Sequence, residues 1–151
     1  MKKHFINLFT YNDWANNQII NAFEKCNEVP DKALKIFSHI ITAQDVWLER
    51  IVEPEKYTIS FWEVYTLKEC ILLSQKSTKN WLKFLNKLNE DGVWKTHTYK
   101  NSKGTEFKNS IYDSLTHLTM HSAYHRGQIN TILRENNYEP AVTDYIYYLR
   151  R

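Results

Sequence analysis

The chain has 151 residues, of which 42% are hydrophobic and 25% are charged, and its formal net charge is +3. This is the length of one ordinary domain, which can bury a core without disulfides or a structural metal. An aromatic content of 15% excludes a disordered protein. The small net charge does not by itself indicate a nucleic-acid partner, and no run of about 18 apolar residues is present to span a membrane.

Turn-forming residues are scarce, since the chain contains only three Gly and three Pro. Sheet proteins need frequent turns, and those turns favour Gly, Pro or Asn. The composition therefore favours long helices and an all-α fold. Cys26 and Cys70 lie far apart and form no CxxC motif, so we expect both to be reduced and structural. The first residues lack the apolar region of a secretion signal, and we expect a cytoplasmic protein.

The first half of the chain predicts two helices. Apolar residues recur at helical spacing from about residue 3 to 25 and from 31 to 52. Pro30 separates these segments, and Pro54 ends the second. The connector that follows, Glu53–Tyr65, is rich in aromatic residues, among them Tyr57 and Phe61.

Two candidate capping boxes precede the third helix, one at Ser60 and one at Thr66. We favour Thr66 because the heptad-like apolar series begins at Leu67. The pair Asp91 and Gly92 is predicted to end this helix.

The segment before the last long helix differs in character. Val93–Tyr99 is rich in β-branched and aromatic residues, Lys100–Gly104 is typical of a turn, and Thr105–Phe107 can form a return strand. This pattern predicts a small β-hairpin, with an irregular loop as the alternative. Ser110 then begins a fourth helix that runs to about Asn136.

Asn137 can adopt the left-handed conformation that ends a helix, and a short fifth helix is predicted over residues 142–150. Four amphipathic helices of about 20 residues bury their apolar faces most simply as a four-helix bundle. The sequence therefore predicts a single domain over residues 1–151, with the hairpin or irregular insertion before the fourth helix.

Three histidines lie one turn apart on the fourth helix, at His117, His121 and His125. On a helical wheel, His121 and His125 fall within or beside the apolar face, and His117 lies at its edge. Two inward imidazoles at i, i+4 can bind one metal ion, as in the HExxH helix. The alternative is a pair of core histidines, although each buried nitrogen left unpaired costs about 1–3 kcal/mol. The spacing alone leaves both interpretations open.

A third ligand would have to come from another helix. His39 lies at the border of the apolar face of the second helix, where its side chain can turn toward a neighbour; the alternative is a partly exposed helix histidine. Three His ligands leave one coordination position open, which is typical of catalytic sites. Zinc or nickel suits such a site best, and iron, manganese or copper is also compatible with it.

Four segments of the chain resemble the DinB/YfiT-like family: Phe9–Asn16, Phe37–Trp47, Asp113–Gln128 and Asn137–Tyr145. The most specific feature is H-S-A-Y-H-R-G-Q in the third segment, joined to a histidine about 80 residues earlier. Asn137 stands where the family usually has Gly, and both residues tolerate the left-handed conformation.

This resemblance implies a four-helix bundle that binds a divalent metal through His39, His121 and His125. His117 matches a position that is often His in the family but is not assigned as a ligand. Members of the family include bacillithiol- and mycothiol-dependent S-transferases and a mycothiol-dependent isomerase, and homodimers are common. The connector and the hairpin match the family poorly, so we expect them to form the walls of a substrate pocket.

The leading functional hypothesis is a metal-dependent thiol S-transferase with a low-molecular-weight thiol as co-substrate, because a bound cation lowers the pKa of a thiol. A metal-dependent hydrolase and a non-catalytic metal- or ligand-binding bundle are the alternatives. Basic residues do not cluster on one face, so we expect a small-molecule substrate rather than nucleic acid or a membrane. The sequence does not indicate which residue would be catalytic.

Several further residues are candidates for supporting roles around the site. Gln128 can hold a ligand or contact substrate, and His117 can lie close to the ligands. Arg126 faces another helix, where Asp144 is a candidate acid partner. Gly127 is predicted to admit close approach of another helix or of a dimer partner. Asp13 and Asn16 on the first helix are weaker candidates, with surface positions as the alternative. His4 and His97 are expected at the surface.

Overall fold

The computed structural model describes residues 1–54, 60–101 and 103–151. Its elements are α1 (Lys2–Phe23), α2 (Asp31–Val52), α3 (Leu67–Lys87), β1 (Thr96–Lys100), β2 (Glu106–Ser110), α4 (Ile111–Glu135) and α5 (Tyr145–Leu149). A short 3₁₀ turn, Gly92–Trp94, precedes β1. The predicted all-α bundle with a hairpin before the fourth helix is confirmed, and the irregular-loop alternative is wrong.

Two helices begin with capping boxes. The side chain of Thr66 accepts a hydrogen bond from the Glu69 N–H at 3.3 Å, and Glu69 accepts one from the Thr66 N–H at 2.8 Å. Ser110 and Asp113 form the same reciprocal pair at the start of α4, at 3.0 and 3.2 Å. Both pairs satisfy backbone donors that would otherwise lack partners.

The helix ends agree less closely with the sequence pattern. Asn137 takes the predicted left-handed conformation, with φ of 60°. However, α3 ends at Lys87, before the predicted stop at Asp91, because Leu88 is already extended with ψ of 142°. The last helix, α5, is also shorter than predicted and begins at Tyr145.

The hairpin pairs antiparallel strands, with His97 opposite Asn109 and Tyr99 opposite Phe107. Gly104 lies in its turn with φ of 80°, a value that favours glycine. The predicted turn also includes Ser102, which lies outside the described residues.

The core contains two apolar clusters along the bundle. One includes Phe23, Phe37 and Ile129, and the other includes Trp81 and Leu115. On α4, the clusters occupy residues 111–118 and 129–133, and two buried polar residues, Ser122 and Arg126, lie between them. His121 and His125 lie in this polar layer, near the middle of the helix. Among the residues that the structure describes, no helix combines the length and hydropathy needed to cross a membrane.

Replacing Ser110 with alanine is expected to lower the free energy of unfolding by about 1 kcal/mol, because α4 loses its side-chain cap. Urea titration at neutral pH measures the difference. Thr105→Ala, in the exposed hairpin turn, is the control and should leave stability unchanged. Equal stability of the two variants would contradict this role for Ser110.

Candidate metal centre

Three imidazoles meet between α2 and α4. Nε2 of His121 lies 3.1 Å from Nε2 of His39 and 3.1 Å from Nε2 of His125. The ligand atoms of all three residues lie within 4.8 Å of one another. His121 and His125 share a helix face because they are four residues apart, and α2 packs against that face with His39.

The outer nitrogens of two of these rings have defined acceptors. Nδ1 of His39 donates to the carbonyl of Phe61 at 2.7 Å, and Nδ1 of His125 donates to Oε1 of Gln128 at 2.7 Å. A proton on Nδ1 leaves Nε2 of a neutral ring with a free lone pair. Both lone pairs point toward His121. Outward hydrogen bonds of this kind orient histidine ligands in metal sites.

His121 cannot satisfy both neighbours as a neutral ring. Its Nε2 can donate one hydrogen at most, yet two acceptor nitrogens lie at 3.1 Å from it. Its Nδ1 is buried and has no hydrogen-bond partner among the described residues. A cation at the centre would instead be bound by three lone pairs at once. The donor set therefore fits a divalent metal ion, with tetrahedral zinc as one example.

The electrostatics favour the neutral form of two of these rings, His121 and His39. Burial, followed by the neighbouring His125, His39 and His117, lowers the pKa of His121 from 6.5 to about 3. Burial also lowers the pKa of His39, although its hydrogen bond to Phe61 opposes that effect. Metal ligation requires unprotonated imidazole, and these pKa shifts favour that form.

A pocket of about 390 Å³ opens beside the histidines. Trp47 and Arg50 of α2, Phe61 of the connector, and Tyr99 and Phe107 of the hairpin form its walls. The connector and the hairpin thus both border the site, as expected. Tyr57 of the connector lies outside the described residues.

The ring of Trp62 stacks on His39, with ring centroids 4.0 Å apart and an interplanar angle of 7°. Sequence reasoning assigned no role to Trp62 or Arg50. For Arg50 a signal was available, because His39, Ala43, Trp47 and Arg50 follow one another at helical spacing on one face of α2.

Comparison with known proteins identifies the family of this chain. The sequence profile of the DinB family matches residues 1–151. The chain belongs to the DinB family. A relative, Protein DinB of Bacillus subtilis (strain 168), is 25% identical over 162 residues, which cover 94% of this chain and 91% of that protein.

His117 and His97 of this DinB-family chain do not belong to the triad of His39, His121 and His125. His117 lies at the edge of the pocket, with its ring centroid 5.4 Å from that of His121. Burial and then the charge of Arg50 lower the pKa of His117. His97 was expected at the surface, but it is 8% exposed and its Nε2 lies 2.8 Å from Oγ of Ser114. The expectation is wrong because the hairpin folds against α4.

Arg126 points away from the triad into the bundle and is 1% exposed. Its Nη1 donates to Oδ1 of Asn12 at 2.6 Å and to Oδ1 of Asn16 at 2.9 Å. The predicted pairing with Asp144 is therefore wrong, since Asp144 is exposed at the start of α5. Asn16 is fully buried rather than at the surface, because two amide oxygens one turn apart on α1 bind the guanidinium.

Two further expectations concern Gly127 and Asp13. A Cβ at Gly127 would have no neighbour within 4 Å, so no helix in the described ranges packs closely there. Asp13 is half-buried rather than fully exposed, and its carboxylate accepts a hydrogen bond from Oγ1 of Thr78 at 2.8 Å.

The pKa of His121 predicts an acid-sensitive metal-free protein. The unfolded chain takes up the proton near pH 6.5, whereas the folded chain resists it until about pH 3. Stability is therefore lost as the pH falls from 6.5 toward 3. Urea titrations of chelator-treated protein at pH 7 and pH 5 measure this loss.

His121→Gln should reduce this loss, since the variant lacks the titrating ring. His4→Gln removes an exposed histidine from α1 and should behave like the wild type. An equal loss of stability in all three proteins would contradict the assignment to His121.

Proposed function

We propose that His39, His121 and His125 bind a divalent metal ion, zinc or nickel, and that this DinB-family protein is a metal-dependent thiol S-transferase. The observation that supports this most directly is the convergence of three Nε2 atoms, two of them 3.1 Å from the third, beside a pocket. Three protein ligands leave one coordination position for a substrate.

The chain's own groups would hold the site in a reactive arrangement. The Phe61 carbonyl and Gln128 fix two imidazoles through their outer nitrogens, and Trp62 covers a face of His39. A divalent cation bound there supplies positive charge that lowers the pKa of a thiol. His117, whose own pKa is lowered, borders the pocket as a neutral base that can accept the thiol proton.

The residues of the pocket favour a thiol over water as the nucleophile. No Asp or Glu lines it within the described ranges, whereas the HExxH type of hydrolase uses a glutamate as its base. A free thiol has a pKa of about 8.5 and needs less activation than water. The thiol would be a separate molecule of the bacillithiol type.

The protein's own thiols do not fit this role. Burial raises the pKa of both Cys70 and Cys26, and neither residue lines the pocket. Each would therefore be less ionised at neutral pH than a free thiol, and neither could reach a molecule held in the pocket.

The proposal predicts thiol transfer that depends on metal. Metal-loaded protein is incubated with chlorobimane and, in turn, bacillithiol, glutathione or coenzyme A, and the fluorescent thioether is followed over time. We expect at least one thiol to react faster than in the uncatalysed control. Chelation of the metal, or His125→Ala, should abolish the difference, and His4→Ala should preserve it.

Two other results would contradict the transferase, and each favours a different function. No acceleration with any thiol, in protein that holds its metal, would contradict the transferase and favour a binding bundle. Metal-dependent cleavage of an ester substrate without thiol transfer would favour the hydrolase.

A further inference from the structure

The imidazole of His39 is covered on one face by an aromatic ring of the connector. The indole of Trp62 lies parallel to it, with ring centroids 4.0 Å apart and an interplanar angle of 7°. The other ring contacts of the three triad histidines, among the described residues, have interplanar angles of 41° or more. A parallel stack therefore distinguishes His39 from the other two.

The same stretch of the connector also holds His39 by one edge. Trp62 directly follows Phe61, whose carbonyl accepts a hydrogen bond from Nδ1 of His39 at 2.7 Å. The N–H of Tyr65 donates to Oγ of Ser38 at 3.1 Å, and Ser38 is a fully buried residue of α2. The connector is therefore anchored to two successive residues of α2, and one of them is a member of the triad.

The hydrogen bond and the stack restrain different motions of the imidazole. The χ2 angle of histidine has no sharp intrinsic preference, so the neighbours of the ring must limit its rotation. The hydrogen bond to Phe61 selects the edge, because a half-turn would replace Nδ1 there by a carbon and would turn Nε2 away from the centre of the triad. The stack limits the tilt, because rotation out of the plane separates the parallel faces of His39 and Trp62.

His39 is the member of the triad whose position depends most on such support. His121 and His125 lie one turn apart on α4, so the helix itself sets their spacing. His39 reaches them from α2, and the 3.1 Å between its Nε2 and that of His121 depends on the orientation of one ring. Mutation of a neighbour that orients a histidine ligand typically weakens metal binding by about 10- to 100-fold.

Core packing does not account for the position of Trp62. Its side chain is 53% exposed, and the described members of the two apolar clusters do not include it. It also lies outside the lining of the pocket, so it covers His39 without occupying the space of a substrate. The Nζ atom of Lys35 lies 5.9 Å from its ring centroid, near the limit of a cation–π contact. The close stack on His39 is therefore its main described interaction.

We propose that Trp62 is a positioning residue for the metal ligand His39, because its indole holds the imidazole in the plane in which Nε2 faces the other two histidines. This role rests on the metal site of the proposed function but not on the reaction. Trp62 would raise the affinity for the ion, whichever substrate reacts there.

The affinity for a divalent ion tests this role. Binding of zinc and of nickel to metal-free protein is measured by competition with a chromophoric chelator, and the ion that binds more tightly is used for the comparison. We expect Trp62→Ala to bind it about tenfold more weakly than the wild type, because the ring of His39 is then free to tilt. Trp62→Phe keeps a ring on His39 and should recover most of the affinity. Equal affinity of the wild type and Trp62→Ala, or no recovery in Trp62→Phe, would overturn the proposal.

Trp94→Ala is the matched control. Trp94 is also 53% exposed, and it stacks on Tyr112 with ring centroids 4.8 Å apart and an interplanar angle of 14°. The control thus removes the same side chain from a ring that is not a ligand, and it should bind the ion as the wild type does. Urea titration of the metal-free proteins should show similar, small losses of stability in the two alanine variants. Weakened binding in Trp94→Ala, or a much larger loss of stability in Trp62→Ala, would overturn the proposal, since the cause would then be a general loss of structure.

These measurements do not use the thiol reaction, so the positioning role and the transferase can fail separately. Weaker metal binding in Trp62→Ala with recovery in Trp62→Phe would support the role of Trp62 even if no thiol reacts. Equal metal affinity in these proteins would overturn that role even if thiol transfer is observed. A wild type that binds neither zinc nor nickel would overturn both.

Discussion

Three imidazole nitrogens face one point between α2 and α4, and this convergence determines what the site can bind. Two of the rings direct lone pairs inward, because their outer nitrogens donate to Phe61 and Gln128. His121 can satisfy only one of those lone pairs with a proton of its own. The cluster is therefore incompletely hydrogen-bonded as a set of neutral rings, and a bound cation would satisfy all three.

The surrounding bundle tolerates this cluster because α4 has a polar layer between two apolar clusters. Arg126 lies in the same layer but on the opposite side, where Asn12 and Asn16 bind its guanidinium. The two sides differ in solvent exposure, since Arg126 is 1% exposed while the histidines border a pocket. One side of α4 therefore makes a buried contact within the bundle, and the other side carries a site that a small molecule can reach.

Local signals in the sequence predicted the helix starts at Thr66 and Ser110, since a capping box needs only residues three apart. The i, i+4 histidines of α4 were also visible. The position of His39 on α2 made it a candidate third ligand, and the family resemblance assigned it to the same site. Phe61 contributes a backbone carbonyl, which has no side-chain signature in a sequence. His97 was misplaced because its burial depends on how the hairpin folds against α4.

Metal analysis of protein purified without a nickel column shows whether the three histidines bind a metal ion. We expect about one bound divalent ion per chain in the wild type and almost none in His121→Ala. His117→Ala is the matched control, because it removes a neighbouring imidazole that lies outside the triad, and it should retain the wild-type content. The same metal content in the wild type and His121→Ala would contradict the three-histidine site.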